Sequence, residues 1–352
     1  MATPTSTACW TSWRASGALP KPLRADVPEF DLIEIIRART AQSRGDVVLG
    51  IGDDAALLTP PAGQQLAACT DTLVEGVHFP RGTPPEDIGW KSLAVNLSDL
   101  AAMGATPAWA MLALTLPNAD RRFVEAFADG FAQLARAHAV NLVGGDTTQG
   151  PLSVTVGAFG FVPENRALLR SGARVGDAVF VTGRLGDAAA ALRLIQDSGL
   201  GTRDPGNEQA RSELLARLNR PEPRIAGGLA LRDVASACID VSDGLLSDLG
   251  HICEASGVGA VVEADALPLS SAMLALFDAE RRRGFALAGG DDYELCFTAS
   301  VDRADRIAAD FARLGIGAAR IGRIVADPGV RVRDANGDTV ETQRRGWQHF
   351  AP

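Results

Sequence analysis

Residues 237–255 read ACIDVSDGLLSDLGHICEA. Ala237 to Val241 is a short apolar run holding one carboxylate, and the turn SDG follows it. The pattern then becomes helical from Asp243 to about Ala255. A strand, a tight turn and a helix therefore carry Asp240 and Asp243 at the point where strand gives way to helix. Strand ends are rigid supports, and glycine lets a backbone or a ligand approach closely.

Working outward, the same arrangement recurs. A short apolar run, then glycine or a small residue, then aspartate appears as VVLGIGDD (Asp53, Asp54), LAACTDT (Asp71), NLVGGDTT (Asp146) and LAGGDDYE (Asp291, Asp292). Asp99, in AVNLSDLAAMG, falls late in a predicted helix from about Pro85 to Met103. Strands are predicted at Val47–Leu49, Leu66–Cys69, Trp109–Leu116, Asn141–Val143 and Leu152–Val162. Asp120 opens a helix to about His138. A second set follows: strands at Ala178–Val181, Ala237–Val241, Val258–Val262, Ala286–Ala288, Leu295–Thr298 and Ile321–Val325. Its helices begin at Gly186, Gln209, Pro223, Asp243 and Ala304, and GLGTRDPG (199–206) reads as a loop. Mixed strands and helices over 352 residues predict an α/β (α+β) protein of two lobes. The expected divisions are a disordered tail over 1–26, an N-terminal domain over 27–162 and a C-terminal domain over 163–352.

Composition narrows the function. A net charge of -9 argues against a general nucleic-acid binder, which needs a basic face. No apolar run reaches the length of a membrane span. The five cysteines are odd in number and none forms C-x-x-C, which points to a reducing cytoplasm. Lysine occurs only at 21 and 91, and there is no G-x-x-x-x-G-K-[ST] loop; ATP, if bound, is not held by a P-loop. Lys91 alone reads as a solvated or interface charge, and Asp248 and His251 as structural residues of the helix after the SDG turn.

One Gly-Asp pair is ordinary turn or cap chemistry. Five such loops, two with doubled aspartates, are a different matter. Crowded carboxylates repel and take up protons unless a cation relieves them. Magnesium takes oxygen ligands and bridges carboxylates to phosphates. The residues alone lead to metal-assisted phosphate chemistry and no further.

The stretches GIGDDAALL, TDTLVEGVHF, KSLAVNLSDLAAMGATP, LVGGDTTQGPLSVT, RSGARVGD, IDVSDGLLSDLGHI, GGDDYELCFT and GWQHF run in order from about Glu29 to Phe350. Together they resemble the thiamine-monophosphate kinase branch of the aminoimidazole ribonucleotide synthetase superfamily. The resemblance implies a two-lobed fold whose N-terminal sheets pair across a homodimer. It implies direct transfer of the ATP γ-phosphate to thiamine monophosphate, the last step in making thiamine diphosphate, with several magnesium ions and no phospho-enzyme. Carried over by motif, Asp54, Cys69 (through its carbonyl), Thr70, Asp71, Asp99, Asp146, Asp240 and Asp243 become metal ligands, with Asp71, Asp146 and Asp240 central to catalysis. Gly145, Asp146, Arg170 and Ser242 become ATP contacts, and His78, Asp291, Glu294 and Trp347 face the acceptor. The helix starts at Gly186 and Asp243 are further candidates to offer N–H groups to phosphate. Within the superfamily, aminoimidazole ribonucleotide synthetase and selenophosphate synthetase are the alternatives, although Cys9 lacks the glycine-rich setting of a selenophosphate synthetase. A non-catalytic nucleotide-binding protein is the third reading.

Overall fold

The computed structural model describes residues 27–197, 207–341 and 346–347. The expected tail and the loop at 199–206 lie outside them.

The N-terminal lobe opens with helix α1 (Glu29–Thr40) and a small hairpin of β1 (Val47–Leu49) and β2 (Leu57–Leu58). A four-stranded sheet follows, made of β3 (Gln64–Val74), β4 (Thr106–Leu116), β5 (Asn141–Gln149) and β6 (Ser153–Pro163) in the order β3-β6-β4-β5. Helices α2 (Pro85–Ala102) and α3 (Arg121–Ala137) cover one face. Pro85 fixes the first turn of α2. The Asp120 carboxylate accepts from the Arg122 and Phe123 amides and caps α3, as the sequence predicts. The two helices touch backbone to backbone. A Cβ on Gly89 would lie 2.0 Å from Phe127 O, and one on Gly130 1.8 Å from Glu86 O.

Strand alternation divides the sheet's side chains. Cys69, Asp71 and Leu73 share the helix-covered face with Val154, Val156, Leu112 and Leu114. Thr70, Thr72, Thr155, Met111, Ala113 and Asp146 lie on the other face. At one end that face is roofed by the hairpin, whose Val47 and Leu58 pack on Trp109 and Phe161. The rest is open, and Leu66 and Met111 stand exposed on it.

The C-terminal lobe has a six-stranded sheet ordered β12-β9-β11-β7-β10-β8. Its strands are β7 (Ala178–Thr182), β8 (Ala237–Val241), β9 (Gly259–Glu263), β10 (Glu294–Ala299), β11 (Ala318–Val325) and β12 (Gly329–Arg333). Around it lie α4 (Asp187–Asp197), α5 (Glu208–Asn219), α6 (Ile225–Leu231), α7 (Leu245–Ser256), α8 (Ser271–Leu276), α9 (Ala279–Ala288) and α10 (Ala304–Arg313). Ala286–Ala288, predicted as a strand, is instead the last turn of α9. The Asp278 side chain caps that helix through the Arg281 amide, a start signal stronger than three apolar residues.

The lobes meet on α2. The Trp90 indole N–H donates to Pro221 O at 2.8 Å, and Arg220 bonds Glu86 at 2.9 Å as well as Asp87. Gly228 lets α6 lie against the end of α2, where a Cβ would sit 2.0 Å from Ala101 O. One apolar cluster runs through the junction, from Leu97 and Phe127 to Ile225, Phe297 and Phe311.

Candidate active site

A cleft of about 890 Å³ wraps the free edge of β3 and is closed from the other side by the β8 turn, α4 and the segment 290–293. Three elements each bring one carboxylate to it: Asp71 from β3, Asp99 from the end of α2 and Asp240 from the end of β8. Asp240 is 4% exposed, and Ser98 Oγ donates to its Oδ2 at 2.7 Å. Burial and the neighbouring charges of Asp240 and Asp71 push the Asp99 carboxyl up to about 8. Burial pushes Asp240 up to about 6, against the Ser98 hydrogen bond. Burial also raises Asp71, opposed by a hydrogen bond with Asp99 and by His78. Such a cluster either holds protons or binds cations.

The donors suit a hard cation, since Asp71, Asp99, Asp240 and the cleft-lining Asp243 offer only oxygen. Among the described residues no three acidic, histidine or cysteine side chains already close around one point. Magnesium does not require that, because it keeps several waters and shares phosphate oxygens. Cys69 contributes no side chain. Its Sγ lies 3.3 Å from Asn96 O beneath the sheet, and burial with the nearby Asp99 and Asp71 keeps the thiol protonated. Only its carbonyl remains as a ligand. The Thr70 hydroxyl, on the opposite face, donates to Val156 O at 3.2 Å.

Ser242 and Asp243 line the cleft beside Asp240. The amides of Ser242, Asp243 and Gly244 all donate to one oxygen of the buried Asp248, at 3.1, 3.2 and 3.0 Å. Burial, with Asp240 and Asp243 close by, pushes Asp248 up to about 7. Likewise the Gly186 amide donates to both oxygens of buried Asp292, at 2.9 and 2.8 Å. Both helix starts expected to receive phosphate are thus occupied by the protein's own carboxylates.

On the C-terminal side of the cleft, Asp291 is held at both of its carboxylate oxygens. Its Oδ2 takes a 3.0 Å bond from Lys91 Nζ, and its Oδ1 a 2.9 Å bond from the Tyr293 hydroxyl. Lys91, expected as a solvated or interface charge, is 2% exposed. His78 Nδ1 accepts from the Val74 amide at 2.9 Å. Trp347 is half-exposed at the rim, its amide bonded to Asp243 O at 2.9 Å. Ala188, Ala189, Leu192 and Ile195 of α4 give the cleft an apolar wall.

Glu294, expected at the acceptor, is fully buried away from the cleft. Arg217, Arg224 and Thr182 bond its two oxygens at 2.6–2.8 Å. Its partners make it a core ion-pair hub. Arg170 is exposed, close enough to Asp240 to favour its charged form. Asp54, Gly145 and Asp146 do not line the cleft. Asp54 lies exposed on the β1–β2 hairpin. Gly145 and Asp146 lie on β5, at the opposite edge of the sheet, three strand spacings or about 14 Å from β3. Lys91, Tyr293, Ser98 and the α4 wall were not anticipated. The signal for Lys91 was its position among Ile88, Leu93, Ala94 and Val95 in a helix whose middle and end are mostly buried.

The chain matches the AIR synthase related protein family, its N-terminal domain over residues 52–162 and its C-terminal domain over 174–335. It is 51% identical to thiamine-monophosphate kinase of Salmonella typhimurium over 327 residues, covering 92% of this chain and 98% of that protein. It is similar to the crystal structure of thiamine-monophosphate kinase from Stenotrophomonas maltophilia at 53% identity and a TM-score of 0.81, covering 89% and 98% of the two chains. It is also similar to AaThiL solved in complex with AMPPCP and TMP, at 33% identity and a TM-score of 0.71, over 92% and 97%.

Proposed function

The chain belongs to the thiamine-monophosphate kinases of the AIR synthase related family, and we propose that its cleft holds two phosphate substrates on a magnesium-bound carboxylate cage. The reaction is ATP-dependent phosphorylation of thiamine monophosphate to thiamine diphosphate, with ADP released. The observation that carries this reading is the convergence of Asp71, Asp99 and Asp240 from three separate elements onto one cleft.

Donor and acceptor are both anions, so catalysis depends on holding them in line and neutralising the moving charge. Magnesium, when bound, supplies that neutralisation. Asp71, Asp99, Asp240 and Asp243 would hold it, with the carbonyl of Cys69 and with Thr70 as further oxygen donors. Arg170, just outside the cluster, is the fixed cation for the ATP phosphates and stands in for a P-loop lysine. Ser242 faces the same phosphates. His78 and Asp291 present polar groups to the acceptor, while Trp347 and the α4 wall offer surface for its rings.

Residues 27–162 would form the ATP- and metal-binding, dimerising domain, and 163–352 the C-terminal α/β domain, in a cytoplasmic homodimer. The open sheet face supports the dimer. Two four-stranded sheets closed into a barrel about a two-fold axis would put each β5 edge beside the other chain's β3 edge. Asp146 and Gly145 of one chain would then join the Asp71 edge of the other, with Asp54 on the same side. No helix among the described residues is long and apolar enough to cross a membrane.

The test is ADP release from ATP and magnesium with a panel of phosphorylated acceptors. Thiamine monophosphate should give turnover well above the buffer rate. Turnover with another acceptor and none with thiamine monophosphate would overturn the reaction. Undiminished turnover in EDTA would overturn the metal cage.

A further inference from the structure

Lys91 lies inside α2 with its side chain 3% exposed, yet the site assigned above gives it no role. A buried ammonium is costly unless it is paired and hydrogen-bonded. Lys91 meets that cost with two bonds, one across the lobe junction to Asp291 Oδ2 at 3.0 Å and one within its own lobe to His78 O at 3.1 Å. Asp291 belongs to the C-terminal lobe and His78 to the loop between β3 and α2. One nitrogen therefore ties together two cleft-lining residues from different lobes. The other Asp291 oxygen is held by the Tyr293 hydroxyl at 2.9 Å. Asp291 and Tyr293 have φ of 67° and 51°, in the left-handed region that non-glycine side chains disfavour. Such backbone persists only where its surroundings over-determine it, commonly at ligand sites. Here the amides of Asp291 and Tyr293 bond Ser242 O and Val241 O, both at 2.8 Å.

We propose that Lys91 is a positioning residue for the organic end of the acceptor. It fixes the Asp291 carboxylate and the His78 turn, and by neutralising Asp291 it makes that carboxylate a hydrogen-bond acceptor rather than a free charge. This rests on the reaction assigned above and deepens it. Thiamine monophosphate offers two features to a carboxylate: the cationic thiazolium and the neutral aminopyrimidine. A carboxylate already paired with an ammonium adds little for a cation, but its remaining lone pairs suit an N–H. The partly exposed Asp291 side chain therefore selects the amino group.

Steady-state kinetics on Lys91→Met, Lys91→Arg, Asp291→Asn and the double variant Lys91→Met/Asp291→Asn test this. Lys91→Met should raise KM for thiamine monophosphate by about tenfold or more, because it leaves a charged hydrogen-bond network unpaired, with KM for ATP within about twofold. Lys91→Arg should recover part of the loss. The double variant should be no worse than the worse single one, since both changes break the same link. Oxythiamine monophosphate, with an oxo group in place of the amino group, should be a poor acceptor for wild type, and Asp291→Asn should narrow the gap by offering an N–H. Equal rises in both KM values, with a matching loss of melting temperature in every variant, would reduce Lys91 to a fastener of the lobes and overturn the proposal. So would unchanged KM values, or wild type that treats the two acceptors alike. A wild type with no thiamine monophosphate turnover overturns the reaction itself, which an active wild type with unaltered Lys91→Met kinetics does not.

Discussion

Asp99 and Asp240 have carboxyls pushed up to about 8 and about 6 by burial. In an unfolded chain such groups titrate near 4. Between those values the folded protein holds protons that the unfolded chain has lost, so stability falls as pH rises through the window. Metal-free protein in EDTA should melt lower at pH 8 than at pH 5.5. Magnesium should restore melting temperature far more at pH 8, where it replaces protons already lost. Scanning fluorimetry at both pH values checks this, and Asp99→Asn should flatten the metal-free slope. A metal-free melting temperature that rises over that range would contradict the assignment. Asp240 was legible because a short apolar run, a small residue and then aspartate repeats along the chain, whereas Asp99, late in a helix, was reached only through the family resemblance. Lys91 and Glu294 were not legible, because a charge inside an apolar helix or strand reveals its partner only after folding. The ammonium found Asp291, 200 positions away, and the carboxylate found Arg217 and Arg224.

Elements were legible where a local signal sets them. Asp120 caps α3 and Pro85 begins α2 as predicted. The 286–288 segment failed because an apolar triplet does not distinguish a strand from the end of a helix. Strand order is set by tertiary pairing, so nothing in NLVGGDTT told that β5 is an edge remote from β3. How closely elements pack was equally hidden, although the glycines that permit it stand in plain view. At the α2–α3 crossing, a Cβ on Gly130 has backbone as its neighbour, and backbone cannot swing aside. Gly130→Ala should cost about 1–3 kcal/mol of unfolding free energy in urea titration, as overpacking does. Gly284→Ala, with nothing within 4 Å of its Cβ, serves as the control and should be neutral or slightly stabilising.

At the scale of the whole molecule, one chain separates Asp146 from Asp71 by the width of a sheet. If two chains complete each site, Asp71→Asn and Asp146→Asn should each abolish turnover in a folded dimer. Unfolded and refolded together in equal amounts, they should regain about a quarter of wild-type activity, since half the dimers would be mixed and each would hold one intact site. No recovery, with mixed dimers shown by mass spectrometry, would place both residues in a site of one chain. The two-lobed fold class was readable from the order of strands and helices, but their junction was not. The apolar cluster that begins under the N-terminal sheet continues through α2 to Phe297 and Phe311 of the other lobe. Neither lobe owns that interior, so neither can melt while the other stays folded. Calorimetry should give a single endotherm, and a protease should either leave the described body of the chain whole or degrade it completely, with no half-sized fragment surviving.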